Sequence, residues 1–362
     1  MPSELIIDMD IHPVASPSCP LEPCIPDSIR EAVNFKLNSA PGTGYANPFG
    51  FQRRDVSGFN DPHRTIEEHL DPLGLTYAVI QPTGMSVSLI HQIEVGSGMA
   101  TAWNEWQVRY WLAADERYIG SICVNMRDPE AAVREIDRYA EHPQMRQLCI
   151  CGESDDLYGH RRYFPIYAAA ARHGLPITIH PGTEGALNSA TPIGRPTNYL
   201  QWHTLIPLTY QAHLVSLVTE GVFEKFPELR FVLCEGGIAW LPHVLWRMDK
   251  NFKGLRAMAP WLKRHPSEYV LEHIRLTTQP IEEPASPQHL MQIFDMVEAH
   301  RTVCFATDYP HWDFDDPFQS LPRMDEKLKN RIFYDTAAEL YGLPSRESVM
   351  QARSAQSPEA VK

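Results

Sequence analysis

The first residues in the chain with evident chemistry are acids and a histidine near the N-terminus. Asp10 and His12 end an apolar run over residues 5–12. If this run is a strand, alternate side chains share a face, so Asp8, Asp10 and His12 point the same way. Polar groups on a buried face are costly unless something pairs with them. A divalent metal would do so, although a solvated acid beside a hydrogen-bonded core histidine would explain the same residues.

Three later apolar runs also end in a residue that can bind a metal. These residues are His180, Glu235 and Asp308. Imidazole and carboxylate groups in this number suit Zn, Mn or Fe. Each residue taken alone could be a core histidine or an acid that hydrogen-bonds to a loop, so the argument depends on whether the fold brings them together.

The elements that must position these residues alternate between strand and helix. We predict eight strands, over residues 5–12, 76–81, 118–124, 147–151, 176–180, 229–235, 273–278 and 302–308. Helical patterns separate them, among them residues 27–37, 207–226 and 239–255, and a long segment poor in secondary structure follows the first strand over residues 13–63. Strands that alternate with helices indicate parallel βαβ units.

Eight such units in a chain of this length predict an α/β fold, a closed (β/α)8 TIM barrel with a long loop insertion after strand 1. The alternative is an open doubly wound sheet, which would carry a glycine-rich turn after the first strand. The turn at residues 11–13 has no glycine. In a barrel the active site lies at the carboxyl ends of the strands, where Asp10, His12, His180, Glu235 and Asp308 would converge.

Other candidates are less specific. His213 lies on the predicted helix over residues 207–226 and could face the barrel mouth, although a surface histidine is an equal explanation. His311 and Asp313 follow Asp308 on a loop. They could orient metal ligands from a second shell or simply hold the loop together.

The composition limits the class of protein. The chain has 362 residues, 43% hydrophobic, and a net charge of −13, which argues against nucleic acid and anionic membrane as partners. It has no run apolar enough for a bilayer and no signal-peptide pattern, so we expect a cytoplasmic protein. Seven scattered cysteines indicate no disulfide framework. We expect one domain over residues 1–343 and a mobile C-terminal tail over residues 344–362.

Four stretches give the sequence a family resemblance: IDMDIH at 7–12, ITIH at 177–180, FVLCEGGIAWLP at 231–242 and FATDYPHWD at 305–313. They resemble the amidohydrolase superfamily, in particular the branch that contains aminocarboxymuconate-semialdehyde decarboxylase and the hydroxybenzoate decarboxylases. The resemblance implies that Asp10, His12, His180 and Asp308 bind one divalent metal. It also implies that Asp308 orients, or takes a proton from, a metal-bound water.

The sequence departs from the family pattern at two places. The decarboxylases carry a histidine at the end of strand six, where this chain has Cys234 and Glu235. Glu235 could bind a second metal, act as a general acid or base, or brace the loop. Strand four has no lysine to bridge two metals, so a second ion would need Glu235 together with His213 or His203.

These residues lead us to expect a metal-dependent hydrolase, in which a metal-activated water attacks an amide, ester, lactone or thioester and Asp308 is the base. The alternative is a non-oxidative decarboxylase of an aromatic or enoic acid, with Glu235 or His213 moving the proton. A metal-binding barrel without turnover is a third hypothesis. The partner would be a small carbonyl or carboxylate substrate, roofed by the insertion with Tyr45, Phe49 and Phe51, in a homodimer or larger homo-oligomer.

Overall fold

A barrel of eight parallel strands forms the centre of the protein. The computed structural model describes residues 4–30, 33, 60–182, 190–194 and 196–356. The strands pair in chain order, and each is parallel to the next. They are β1 Ile7–Ile11, β2 Tyr77–Ile80, β3 Tyr118–Cys123, β4 Met145–Cys151, β5 Ile177–His180, β6 Phe231–Leu233, β7 Ile274–Thr277 and β8 Val303–Cys304.

Hydrogen bonds between β1 and the segment after β8 join the two edges of the sheet. The Met9 N–H donates to the Phe305 carbonyl at 3.0 Å, and the His12 N–H donates to the Tyr309 carbonyl at 2.7 Å. The predicted TIM barrel is therefore confirmed. The last strand is shorter than predicted because the Phe305 N–H donates to the Ile332 carbonyl at 2.9 Å instead of continuing the strand ladder.

Helices surround the barrel on its outer face. In chain order they are α1 Asp27–Arg30, α2 Pro62–Thr65, α3 Asp71–Leu73, α4 Ile93–Trp106, α5 Pro129–Tyr139, α6 Phe164–Arg172, α7 Tyr199–Thr219, α8 Val222–Lys225, α9 Leu241–Leu255, α10 Pro266–His273, α11 Pro287–Met296, α12 Ala299–Thr302, α13 Glu326–Asn330, α14 Thr336–Tyr341 and α15 Arg346–Gln356. Those between strands pack onto the sheet through buried apolar residues, as βαβ units require.

The start of α7 corrects a prediction that matters for the site. We expected this helix to begin at Pro207, but it begins at Tyr199 and Pro207 lies inside it. The side chain of Asn198 accepts a hydrogen bond from the Gln201 N–H and so caps the first turn. The sequence signal for the true start was this asparagine, and the proline misled because tertiary packing can hold a helix through it.

Apolar side chains of alternate strand residues fill the inside of the barrel. The cluster includes Ile7, Met9, Val79, Ile119, Val232 and Cys304, and it is continuous with Tyr334, Ala337 and Tyr341 near the end of the domain. Tyr341 also donates from its hydroxyl to Gln147 in β4 at 2.6 Å. Residues at and before α14 thus close the barrel at the end opposite the strand carboxyl termini, where the predicted site residues lie.

Strand β1 contains an irregularity that changes one predicted side-chain direction. Its register against β2 shifts between Asp8 and Ile11. Met9 belongs to the interior cluster, and the next residue, Asp10, also faces inward. A bulge of this kind breaks the alternation of side chains, so residues after it point to the opposite face from the one that strict alternation predicts. The prediction that Asp8 shares a face with Asp10 and His12 is therefore wrong.

Two predicted segments differ from expectation or lie outside the described residues. Within the tail that we expected to be mobile, residues Arg346–Gln356 form α15, and Val349 packs against the interior cluster. Most of the insertion, with Tyr45, Phe49 and Phe51, lies outside the described residues. All seven cysteines are buried and free. Across the described ranges, every helix is too short or too polar to cross a bilayer.

Burial of one acid on the loop after β8 predicts a pH-dependent stability. Burial raises the pKa of Asp315 to about 7, although its carboxylate accepts a hydrogen bond from the Ile281 N–H at 3.4 Å. Between the unfolded pKa near 4 and this value, the folded state retains a proton that the unfolded state releases, so stability falls as pH rises through this window.

We therefore expect Asp315→Asn to remove this loss. The free energy of unfolding of the variant should gain about 1–3 kcal/mol over wild type at pH 8, and much less at pH 4. Urea unfolding at several pH values measures the difference. An equal effect of the substitution at both pH values would contradict the assignment.

Candidate metal centre

The five residues predicted to bind a metal converge at the carboxyl ends of the strands. Asp10 lies in β1 and His12 directly follows it, His180 ends β5, Glu235 follows β6 by two residues, and Asp308 follows β8 by four. Asp10, His12, His180 and Glu235 place one ligand atom each within 4.8 Å of one another, and His12, Glu235, Asp308 and His311 do the same. The fold thus unites residues that are up to 298 positions apart.

The His12 ring lies at the centre of this group. Its Nε2 atom is 2.9 Å from Asp10 Oδ1, 3.0 Å from Asp308 Oδ1 and 3.3 Å from Glu235 Oε1. On the other side, His180 Nε2 is 2.9 Å from Glu235 Oε1 and 3.4 Å from Asp10 Oδ2. Because all five side chains are nearly or fully buried, bulk water cannot screen the charges that they carry.

The geometry of the donor atoms fits a divalent cation. Asp10 Oδ1, His180 Nε2 and Asp308 Oδ1 are buried and accept or donate no hydrogen bond within the described part of the chain, although charged groups lie close. Three carboxylates lie within a few ångströms, and they repel one another unless positive charge lies between them. Buried lone pairs aimed at a common point, with two imidazoles beside three carboxylates, form a donor set suited to Zn, Mn or Fe.

The pKa shifts within the group follow from this crowding. Burial raises the pKa of Asp308 well above its usual range, and the charge of Glu235 raises it further. Burial alone would raise the pKa of Glu235 too, but His180 and His12 outweigh this and lower it. Burial opposes the charged form of His180, yet the charges of Glu235 and Asp10 raise its pKa to about 9. The two histidines therefore cannot neutralise all three carboxylates.

The histidine ring orientations are set by backbone carbonyls. His12 Nδ1 lies 3.1 Å from the Gln81 carbonyl, and His180 Nδ1 lies 2.7 Å from the Pro181 carbonyl. Each Nδ1 atom therefore carries a proton, so Nε2 is the atom of each ring that would bind a metal.

Two of the acids sit on strained backbone. Glu235 has φ 56° and Asp308 has φ 60°, in the left-handed region that side chains rarely adopt. Such positions cost on the order of 1–3 kcal/mol each and persist where surrounding contacts hold them. Here the turn lets each chain segment leave its strand sharply while the carboxylate still points into the cluster.

Side chains from the end of β7 hold both strained loops. Thr277 Oγ1 accepts a hydrogen bond from the Glu235 N–H at 3.0 Å, and Gln279 Nε2 donates to Asp308 Oδ2 at 3.2 Å. The Glu282 carboxylate accepts from the N–H groups of Ile238 and Ala239 in the loop after Glu235. The segment after β7 therefore braces the loops of β6 and β8 from between them.

Asp8 performs a similar role outside the barrel interior. Its carboxylate accepts hydrogen bonds from the Thr307 N–H at 2.8 Å, from the Thr307 hydroxyl at 2.6 Å and from the Asp10 N–H at 3.2 Å. It also lies 2.9 Å from His69 Nε2. One buried carboxylate thus fixes the backbone beside Asp308 and the backbone of Asp10.

His311 and Asp313, the two residues that could orient the metal ligands, occupy different places. His311 Nδ1 lies 2.6 Å from Asp308 Oδ1, and its ring stacks on His12 with centroids 4.3 Å apart. Burial lowers the pKa of His311 to about 3, so the ring is neutral. Asp313 lies farther out, where its Oδ2 atom is 3.1 Å from His203 Nε2 and its carbonyl accepts a hydrogen bond from Gln279.

His213 is not part of this group, which corrects its prediction as a catalytic residue at the mouth. Its Nε2 atom donates to the Gly152 carbonyl at 2.7 Å, and its Nδ1 atom accepts from the Tyr158 N–H at 3.2 Å. The ring is fully buried and stacks on Tyr158 with centroids 4.2 Å apart. Burial lowers its pKa to about 4. Both nitrogens are thus committed to the backbone of the loop after β4.

Sequence reasoning missed the residues that support the ligands. These are His69 and Gln279, together with Asp8 in the role that the bulge in β1 gives it. Their signal was weak because each is polar and lies near a strand end or in a short helix, like many solvated residues.

A comparison with protein-family profiles shows which family the chain belongs to. A family profile described as amidohydrolase matches residues 7–343. The chain belongs to the amidohydrolase family. A curated relative of this amidohydrolase is a gamma-resorcylate decarboxylase from Polaromonas sp., 23% identical over 298 residues that span 77% of this chain and 86% of the relative.

Solved structures share the fold of this amidohydrolase at low sequence identity. A 5-carboxyvanillate decarboxylase from Novosphingobium aromaticivorans, complexed with manganese and 4-hydroxy-3-methoxy-5-nitrobenzoic acid, aligns with a TM-score of 0.71 and 20% identity over 94% of this chain and 97% of the other. The 5-carboxyvanillate decarboxylase of Sphingomonas paucimobilis aligns with a TM-score of 0.68 and 22% identity over 94% and 100%. These likenesses confirm the barrel.

The geometry predicts that metal content depends on His180 and not on His213. We expect one divalent ion per chain in protein purified without chelator, and its loss in His180→Asn, which removes a buried donor. His213→Gln should keep the ion and lose about 1–3 kcal/mol of stability, since a backbone hydrogen bond is broken. Elemental analysis and urea unfolding measure both quantities. Loss of metal in His213→Gln with the fold intact would contradict the placement.

The contacts of Asp8 predict an effect on metal binding through its neighbours. In Asp8→Asn one acceptor oxygen becomes a donor facing Thr307 or His69, so the Asp308 loop should shift and metal affinity should fall roughly 10–100-fold. Competition with a chromogenic chelator measures the affinity. The exposed Asp295 on α11 supplies the control, Asp295→Asn, which should bind metal like wild type. Equal affinities in the two variants would refute the role of Asp8.

Proposed function

We propose that this amidohydrolase is a metal-dependent, non-oxidative decarboxylase of an aromatic carboxylic acid. The curated relative and the solved structures compared above are all named as decarboxylases of aromatic acids. They favour the alternative drawn from the sequence over the hydrolase that we expected first. The proposal rests on the site as well as on these names.

The observation that carries the proposal is the close pair of Asp308 and His311 at the edge of the metal centre. Their Oδ1 and Nδ1 atoms are 2.6 Å apart, and burial raises the pKa of Asp308 well above its usual range, which favours the protonated carboxyl group that a proton donor needs. Because decarboxylation leaves an electron pair on carbon, the enzyme must deliver a proton there. Hydrolysis needs the opposite, a base that is free to accept one.

We assign Asp10, His12, His180, Glu235 and Asp308 as the group that holds the metal. Glu235 and Asp10 both bring negative charge to the histidines, since each approaches His180 and His12. When bound, a divalent ion supplies positive charge that attracts the substrate's carboxylate and any neighbouring ring oxygen and stabilises negative charge developing on them. Glu235, whose role the sequence left open, is thus assigned to metal binding.

The proton step is assigned to Asp308. The bond between the ring carbon and the carboxylate carbon breaks, and its electron pair forms a new bond to the proton delivered by Asp308. Carbon dioxide leaves, and the ring carbon then carries the hydrogen. Gln279 donates a hydrogen bond to Oδ2 of the same carboxylate at 3.2 Å, which keeps Oδ1 directed toward His311 and toward the proposed position of the substrate. His311, whose Nδ1 atom lies 2.6 Å from Oδ1, orients the carboxylate.

The proposal predicts carbon dioxide release without oxygen from water in the product. Mn-loaded protein incubated with 2,6-dihydroxybenzoate and 5-carboxyvanillate should release one carbon dioxide for each acid consumed. In heavy water the product should carry deuterium at the vacated ring carbon. Manometry and mass spectrometry measure these outcomes, and a panel of other hydroxybenzoates widens the search.

The matched variants separate chemistry from folding. Asp308→Asn cannot deliver the proton and should lower kcat by roughly 10²–10⁴-fold with little change in melting temperature, whereas Asp295→Asn should be fully active. Hydrolysis of an ester or amide, with ¹⁸O from labelled water in the product and no carbon dioxide from any acid, would overturn the decarboxylase proposal.

A further inference from the structure

Four aromatic side chains form a cluster that the metal centre does not use. Tyr199, Trp202 and His203 lie in the first two turns of α7, and Trp312 lies on the loop after β8. Ring centroids are 5.6 Å apart for Tyr199 and His203, 6.1 Å for Tyr199 and Trp312, and 5.9 Å for His203 and Trp312. The Trp312 Nε1–H donates to the Tyr199 hydroxyl at 3.1 Å. We call these four residues the aromatic wall.

The aromatic wall adjoins the metal centre through the chain itself. Trp312 directly follows His311, which lies 2.6 Å from Asp308. Asp313, the next residue, is linked to Asp308 through Gln279, which donates to the Asp308 carboxylate and to the Asp313 carbonyl. The aromatic wall therefore stands at the mouth into which the ligand residues point.

Its side chains are more accessible than the aromatic residues of the core. Trp312 is 44% exposed, while Trp106 at the end of α4 and Trp111 shortly after it are fully buried. The other three wall residues are partly exposed. Exposing an indole to water forgoes the burial that stabilises an ordinary core residue, so a ligand that covers it would gain the corresponding apolar contact.

One member of the aromatic wall is a histidine that an acid holds in place. His203 Nε2 lies 3.1 Å from Asp313 Oδ2, and burial, which lowers the pKa of His203, is outweighed by the hydrogen bond and charge of Asp313, so its pKa is raised. The groups that act on this ring are Asp313 from the loop after β8 and Glu235 from the loop after β6. Asp313 itself is mostly buried, so its position and that of His203 fix each other.

We propose that the aromatic wall is the specificity site for the substrate ring: the ring packs against Trp312 and Tyr199, and His203, held by Asp313, donates a hydrogen bond to an oxygen substituent on that ring. The substrate class is then an aromatic acid with at least one further hydroxyl or carboxylate group. This inference rests on the proposed function for the identity of the ligand as an aromatic acid.

Binding of unreactive ligands tests the aromatic wall apart from turnover. The probes are 2-nitrophenol, 2-nitroresorcinol and 4-hydroxy-3-nitrobenzoate, in which a nitro group stands in for the reacting carboxylate. Calorimetry on the Mn-loaded protein gives the dissociation constant of each. Trp312→Leu should weaken all three about tenfold, because each loses the same ring contact. His203→Gln should weaken the two probes with an additional ring oxygen about tenfold and 2-nitrophenol less than twofold.

Controls make each outcome decisive. His289→Gln, at an exposed histidine on α11, should bind all probes within twofold of wild type. If His203→Gln fails to fold, Asp313→Asn takes its place, since it leaves His203 without its anionic partner and should show the same preference at neutral pH. Wild-type dissociation constants in both wall variants, or no binding of any probe by the wild-type protein, would overturn the inference.

The test also separates this inference from the proposed reaction. Probe binding that depends on His203 and Trp312, without carbon dioxide release from any hydroxybenzoate, would keep the aromatic wall and refute the decarboxylase. Carbon dioxide release with KM values that are unchanged in both wall variants would keep the decarboxylase and refute the aromatic wall.

Discussion

Mutual repulsion of three buried carboxylates is the constraint on which the site depends. Asp10, Glu235 and Asp308 all approach the ring of His12 within 3.3 Å, in surroundings that exclude bulk water. Two imidazoles cannot balance three negative charges at neutral pH, so the pKa of Asp308 rises while that of Glu235 falls. A divalent cation at the common point of the free donor atoms resolves this conflict, because its charge is the one that the side chains lack.

The architecture of the barrel brings the donor atoms together at that point. Parallel strands bring their carboxyl ends to one face, which is why ligands from β1, β5, β6 and β8 can meet. The strain at Glu235 and Asp308 is held by neighbouring loops, above all through Thr277 and Gln279. The bulge in β1 serves the same end, since it turns Asp10 inward and leaves Asp8 outside to fix the backbone on both sides.

The chemistry that we propose depends on Asp308 and on the histidine beside it, His311. In the reaction that we propose, Asp308 gives a proton to carbon while the neutral ring of His311 lies 2.6 Å away, and the loop that carries both residues continues directly into the aromatic wall. Our two proposals therefore place reaction and recognition on one segment, residues 308–313. A change in the ring that is recognised would require changes in α7 and this loop, while the ligands on β1 and β5 could stay the same.

The barrel and the five candidate metal ligands could be predicted from the sequence, because each of these residues lies at the end of an apolar run and eight such runs alternate with helices. These are local patterns, and in a parallel barrel the residues at the carboxyl ends of the strands all lie at the same face. The contact partners of individual side chains, in contrast, depend on tertiary packing. It placed His213 against the backbone of the β4 loop, reversed the direction of Asp8 through a bulge, and moved the start of α7 from Pro207 to Tyr199, which brought Tyr199, Trp202 and His203 to the mouth. None of these follows from the sequence, since each depends on which hydrogen-bond partner a distant segment offers, and residue type and spacing leave that open.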